Sequence, residues 1–238
     1  MEKKEELDNL FKQMSKCNKC KNLKSKKGND QSLINIFENE YFYKNIPSIW
    51  TDWSNRLDAQ IMLIGQDWGP FIDMNKFHKL YINNPSKENW KDIIEQEKSM
   101  TKRLLTKYLV QSAKNFNINI SLDDIYITNA IMCARKGNNY RGSNINLKVS
   151  TCNCSEFLKK QIDIVKPKII LTLGYYPIYS LSMLYSFEIS STLTKTIETY
   201  GKFILDNFAI IPLYHPASQI KKEIQLNQYM KIWDCFKW

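Results

Sequence analysis

Four short apolar runs punctuate the chain: residues 60–65 (QIMLIG), 124–130 (DIYITNA), 168–174 (KIILTLG) and 208–215 (FAIIPLYH). Each stops at Gly or at polar residues, and within each the apolar character is nearly continuous. That is the pattern of parallel strands covered on both faces, whereas a strand with one wet face would alternate. Between the runs the apolar positions recur at helical spacing. Helices are predicted over about residues 2–15, 89–115, 155–165, 176–187 and 218–236, the third stopped by Pro167. Strand–helix alternation of this kind implies right-handed crossovers. The expected fold is a three-layer α/β/α sandwich around a four-stranded, mainly parallel sheet, built as a single domain over residues 1–238 with an N-terminal Cys/Lys-rich segment packed on it. Residues 68–88 and 134–153 interrupt the regularity as polar stretches read as loops, and long loops after parallel strands are where function collects.

The strand ends carry the candidate chemistry, because ligands of open parallel sheets bind beyond the carboxyl ends of the strands. Those ends read Gly65-Gln66-Asp67-Trp68-Gly69, Thr128-Asn129, Gly174 and His215-Pro216-Ala217. Taken singly, Asp67 reads as a cap, Asn129 as a turn residue and His215 as a loop residue. Together they place a carboxylate, an amide and an imidazole on one edge. A carboxylate can orient water or stabilise a developing cation, an amide can read the edge of a base, and an imidazole can donate to a developing anion.

Composition adds a polyanionic partner to this picture. The net charge is +10 over 238 residues, which suits nucleic acid; lysine supplies nearly all of it, with arginine only at 56, 103, 135 and 141, so a solvated lysine surface accounts for the charge equally well. No apolar run approaches the length of a membrane span, and the charged, amphipathic start of the chain does not read as a secretory signal or an anchor. A cytoplasmic, monomeric protein without a membrane partner is expected.

Six cysteines, at 17, 20, 133, 152, 154 and 235, and only two histidines, at 78 and 215, point to thiolate-held metal and away from a histidine-rich zinc site. Four thiolates could hold structural zinc. Cys17 and Cys20 could form a redox pair, although no strand precedes them. Cys235, in the last predicted helix, reads as a core thiol.

Four segments, in order, resemble the uracil-DNA glycosylase superfamily. LIGQDWG is similar to its first motif, Gly-Gln-Asp-Pro-Tyr in family 1, and YHPAS to its second, His-Pro-Ser or His-Pro-Ala. ITNAIMCARKG resembles the family 4 segment Thr-Asn-Val-Val-Lys-Cys-Arg-Pro. CSEFLKKQIDIVKPKIILTLG resembles the family 4 run of Cys, Leu, Gln-Ile, Pro and a strand ending Leu-Gly. The resemblance implies a monofunctional enzyme that flips uracil out of single- or double-stranded DNA and hydrolyses its N-glycosidic bond. Asp67 and His215 would be catalytic; Gln66, Trp68 and Asn129 would bind the base. It also implies a [4Fe-4S] cluster on Cys17, Cys20, Cys133 and Cys154, with zinc as the alternative occupant and Cys152 as a near neighbour of the fourth ligand. Lys24, Lys26, Lys27, Arg135, Lys136, Lys221 and Lys222 are candidates for the DNA backbone, Gln219 and Ile220 for a wedge, and Phe71 or Phe77 for stacking on the base. The chain departs from family 1 where Trp68-Gly69 stand in place of Pro-Tyr, and from family 4 where Gln66-Asp67 stand in place of Glu and a small residue. It reads as a family 1-like acid on a family 4-like scaffold.

Overall fold

The computed structural model describes residues 2–38, 56–69, 100–136 and 146–235. Helix α1 (Lys3–Ser15) opens the chain, followed by strand β1 (Leu33–Ile34). Strand β2 (Ile61–Gly65), helix α2 (Met100–Lys114), strand β3 (Ile125–Asn129) and the short strand β4 (Ala134–Arg135) come next. Helix α3 (Leu147–Val165), strand β5 (Ile169–Leu173) and helix α4 (Tyr175–Tyr185) follow. Helix α5 (Leu193–Tyr200), strands β6 (Phe203–Ile204) and β7 (Ala209–Leu213) and helix α6 (Lys222–Asp234) complete the described residues.

The main sheet has the order β3-β2-β5-β7-β6. Its first four strands are parallel and are the four apolar runs. Although those runs look unbroken, their side chains divide with period two. Met62, Ile64, Tyr126, Ile170 and Ile210 enter one core with Leu7, Leu10, Phe11 and Met14 of α1, Leu158 and Ile162 of α3 and Ile178 and Leu181 of α4. Ile61, Leu63, Ile125, Ile127, Ile169, Leu171, Ile211 and Leu213 enter the other, with Leu105, Tyr108 and Leu109 of α2 and Tyr229, Ile232 and Trp233 of α6. Both faces are therefore dry, which is why polar alternation is missing from the sequence. The i, i+3, i+4, i+7 spacing of Leu7, Leu10, Phe11 and Met14 is what lays α1 against its core.

Three differences from the expected layout have physical causes. A fifth strand, β6, pairs antiparallel with β7; at two residues it is too short to leave a periodicity. It ladders only with Ala209 and Ile210, so Pro212 of β7 lies beyond that ladder and its missing N–H costs no pair there. Part of the stretch read as a loop after residue 134 is helical: Asn146 caps α3, its side chain accepting from the Val149 N–H at 3.1 Å, and the helix begins eight residues earlier than the apolar pattern indicated. Residues 193–200 form α5, capped by Thr192. The expected loop over residues 70–88 and the start of the helix expected from residue 89 lie outside the described residues.

Buried polar groups tie the layers together. Gln161 of α3 accepts through Oε1 from the Tyr126 hydroxyl at 3.0 Å and the Thr128 hydroxyl at 2.8 Å, both on β3. Across the second core, the Trp233 indole donates to Ser112 Oγ at 2.7 Å. No helix among the described residues is long and apolar enough to cross a membrane.

Candidate active site and cysteine cluster

The parallel register aligns the ends of the strands. Gly65 closes β2 opposite Asn129, the last residue of β3. His215 stands two residues beyond β7, Gln66–Gly69 follow β2, and Gly174 with Tyr175 and Tyr176 follows β5. Because β5 lies between β2 and β7, the axes of those two strands are about 10 Å apart at the usual interstrand spacing. Asp67 and His215 thus flank the end of β5 on one edge of the sheet, and the Asp67 carboxylate acts electrostatically on the His215 imidazole.

The Gln66–Gly69 segment is bound to the chain after β3. Ala130 and Ile131 donate their N–H groups to the carbonyls of Gly65 and Gln66 at 2.8 and 2.9 Å, and the Arg135 N–H donates to the Gly69 carbonyl at 2.9 Å. The Asp67 side chain is 1% exposed and ion-paired with Arg135. Its Oδ1 accepts from Arg135 Nε at 3.0 Å, Arg135 Nη2 at 2.8 Å and the Gly69 N–H at 2.7 Å; its Oδ2 accepts from Gln66 Nε2 at 2.8 Å. Gln66 therefore spends its amide on Asp67. Trp68 donates its indole N–H to the Met132 carbonyl at 3.1 Å and packs against the first core.

His215 retains solvent-facing surface. Its Nδ1 accepts from the Ala217 N–H at 3.3 Å, which puts the proton of the neutral ring on Nε2. Desolvation lowers its pKa, and the Asp67 carboxylate works in the opposite direction. The ring is poised as a neutral Nε2–H donor. Asn129 is buried with its side chain across Gly65. The loop behind His215 presents Gln219, Lys221 and Lys222 as exposed side chains, Ile220 being half-buried.

Cys17 and Cys20 follow α1, Cys133 follows β3, and Cys154 lies in α3. Cys20, Cys133 and Cys154 are buried and Cys17 is half-buried. The four lie close enough to act electrostatically on one another. Burial first, and then Cys154, Cys20 and Cys17, push the Cys133 thiol far up; burial chiefly pushes Cys154 up to about 12, with Cys20 and Cys17 adding to it. Cys152 points elsewhere, exposed, with Sγ 3.6 Å from the Met183 sulfur. Cys235 is half-buried against the second core. Among the described residues, no three metal-ligating side chains converge tightly enough to hold a single ion.

Arg135 is expected among the DNA-backbone cations, whereas its guanidinium binds Asp67. The signal for this in the sequence is slight: an arginine two residues after Cys133 in a chain whose other cations are nearly all lysine. Lys24, Lys26 and Lys27 are exposed, and Lys136 pairs with Asp30 at 2.9 Å. Phe71 and Phe77 lie outside the described residues.

Residues 51–237 match the family model described as "Uracil DNA glycosylase superfamily". A type-4 uracil-DNA glycosylase of Sulfurisphaera tokodaii is 31% identical over 115 residues, 48% of this chain and 50% of that protein. One from Saccharolobus solfataricus is 29% identical over 123 residues, half of each chain. One from Archaeoglobus fulgidus is 25% identical over 133 residues, 53% of this chain and 59% of that protein. The chain spans about half the length of the curated relatives it matches.

Proposed function

The chain belongs to the uracil-DNA glycosylase superfamily, and on that premise we propose that it is a monofunctional DNA repair glycosylase that flips uracil from DNA and hydrolyses its N-glycosidic bond. The observation that carries this reading is the meeting of Asp67, Asn129 and His215 at the ends of β2, β3 and β7. Type-4 uracil-DNA glycosylases among the similar proteins support the same substrate.

A base inside a duplex is out of reach, so it must leave the stack at a cost of a few kcal/mol. Contacts of exposed lysines with phosphates offset that cost. As the C1′–N1 bond breaks, its electron pair goes to uracil and positive charge builds on the sugar. The His215 Nε2–H stabilises the uracil anion at O2 by hydrogen bonding, and the Asn129 amide reads the O4 and N3 edge, which separates uracil from cytosine. Asp67 Oδ2 orients the water whose oxygen bonds to C1′ and takes up its proton. The Gln66–Asp67 backbone lines the base; Trp68-Gly69 stand in place of the family 1 Pro-Tyr, whose Tyr excludes thymine, and Trp68 takes over that steric role. No lysine lies in the strand-end segments Gly65–Gly69, Thr128–Asn129 and His215–Ala217 to form a Schiff base, which leaves water as the nucleophile.

The four cysteines fit an iron–sulfur cluster by the chemistry of the donor set. They are four mutually interacting thiols, mostly buried, and a cubane assigns one cysteine to each iron. Zinc held by four thiolates at about 2.3 Å is the alternative occupant. A bound cluster would supply positive charge that stabilises the thiolates, joining the segment after α1 to the segment after β3 and to α3.

The near-complete burial of Asp67 favours a second reading, in which the carboxylate only locks its loop and the protein binds nucleic acid without releasing a base. Release of free uracil from a uracil-containing oligonucleotide decides between them. Wild type should release it, and Asp67→Asn and His215→Ala should each lose most of the rate. Salt-sensitive DNA binding without release from any lesion in a panel would establish the second reading.

A further inference from the structure

We infer that Arg135 is a positioning residue for Asp67, setting which carboxylate oxygen is offered to water. The inference rests on the glycosylase reading and deepens it. A carboxylate offers about four acceptor directions, two on each oxygen. Oδ1 already takes three N–H groups: two from the Arg135 guanidinium, at 3.0 and 2.8 Å, and one from Gly69, at 2.7 Å. Among the described residues Oδ2 takes one, from Gln66 at 2.8 Å, which leaves a direction that none of them uses. The arginine saturates one oxygen and leaves the other for a water molecule.

Arg135 can do this because it is itself fixed. Its backbone N–H holds the Gly69 carbonyl at 2.9 Å, so one residue grips the loop at both the backbone and the side chain. Its strand, β4, ladders antiparallel with β1, Leu33 opposite Arg135 and Ile34 opposite Ala134. Leu33 in turn donates its N–H to the Cys20 carbonyl at 2.9 Å. The Arg135 side chain is 11% exposed, and a planar fork with two N–H groups on one oxygen fixes direction in a way an ammonium cannot. These contacts set Arg135 apart from the exposed lysines that suit phosphates.

The test compares uracil release by wild type, Arg135→Gln, Arg135→Lys, Asp67→Asn and the double variant, with the affinity of each for a non-hydrolysable uracil oligonucleotide across a salt series. Arg135→Gln should lower kcat by about 10- to 100-fold while leaving affinity and its salt slope unchanged. Arg135→Lys should recover part of the rate, and in the Asp67→Asn background Arg135→Gln should cost nothing further, because it acts through Asp67. Weakened affinity with a salt slope smaller by about one would make Arg135 a phosphate contact and overturn the inference, as would a wild-type rate in Arg135→Gln or a full additional loss in the double variant. If Arg135→Gln does not fold, Arg135→Lys carries the same comparison. An inactive wild type refutes the glycosylase reading itself; an active wild type beside an unaffected Arg135→Gln refutes only the positioning role.

Discussion

The side-chain carbonyl of Asn129 occupies the space that a β-carbon on Gly65 would need. The two residues are partners in the parallel ladder between β2 and β3, so the amide lies across the neighbouring strand's last α-carbon. Glycine is required there by space, since its φ is not among the positive ones.

Gly65→Ala should therefore act as an Asn129 mutation. The new methyl group must displace the amide, and misplacement of a positioned group by about 1 Å can cost on the order of 100-fold in rate. Uracil release should fall by about that factor while the fold persists, as checked by circular dichroism. A wild-type rate in Gly65→Ala would show that the amide has no part in base recognition.

His215 carries a pH signature. Desolvation holds its pKa below the ordinary imidazole value, against the pull of Asp67, so the neutral donor form should persist as pH falls through the ordinary histidine range. With the folded pKa depressed, the ring's contribution to stability is fully present above the unfolded pKa and is lost as pH drops through the folded one. The chain has only one other histidine, His78, so His78→Gln leaves a single imidazole to follow by NMR. Asp67→Asn should move that titration to still lower pH; no movement would separate the two side chains.

Metal content should sort the cysteines. Serine at position 17, 20, 133 or 154 should lose bound iron and the brown colour of the protein. Cys152→Ser, whose thiol is exposed beside Met183, and Cys235→Ser should keep both. Iron and zinc determination on each variant makes the comparison, and stoichiometric zinc in colourless wild type would replace the cluster with a single ion.

Gln161→Leu should destabilise the fold without touching the pocket chemistry directly. It strands the buried hydroxyls of Tyr126 and Thr128, and each buried group left without a partner costs about 1–3 kcal/mol. A loss of about 2–4 kcal/mol in urea unfolding is expected. A change under 1 kcal/mol would mean that these hydroxyls find other partners.

Which segments become strands, which edge they present and which residues end there were legible in the chain. Unbroken apolar runs closed by Gly, Asn or His-Pro follow from local sterics and from burial on both sheet faces, and these act residue by residue. Chain order carries no record of which carboxylate meets which guanidinium. Asp67 and Arg135 are 68 positions apart, and their pairing arises because β4 folds back on β1 and brings Arg135 alongside the Gln66–Gly69 loop. The same holds for β6, α5 and the burial of Cys154 while Cys152 stays exposed. A two-residue strand, an eight-residue helix and the face of one helical turn are settled by packing against distant neighbours, and packing is a property of the assembled layers.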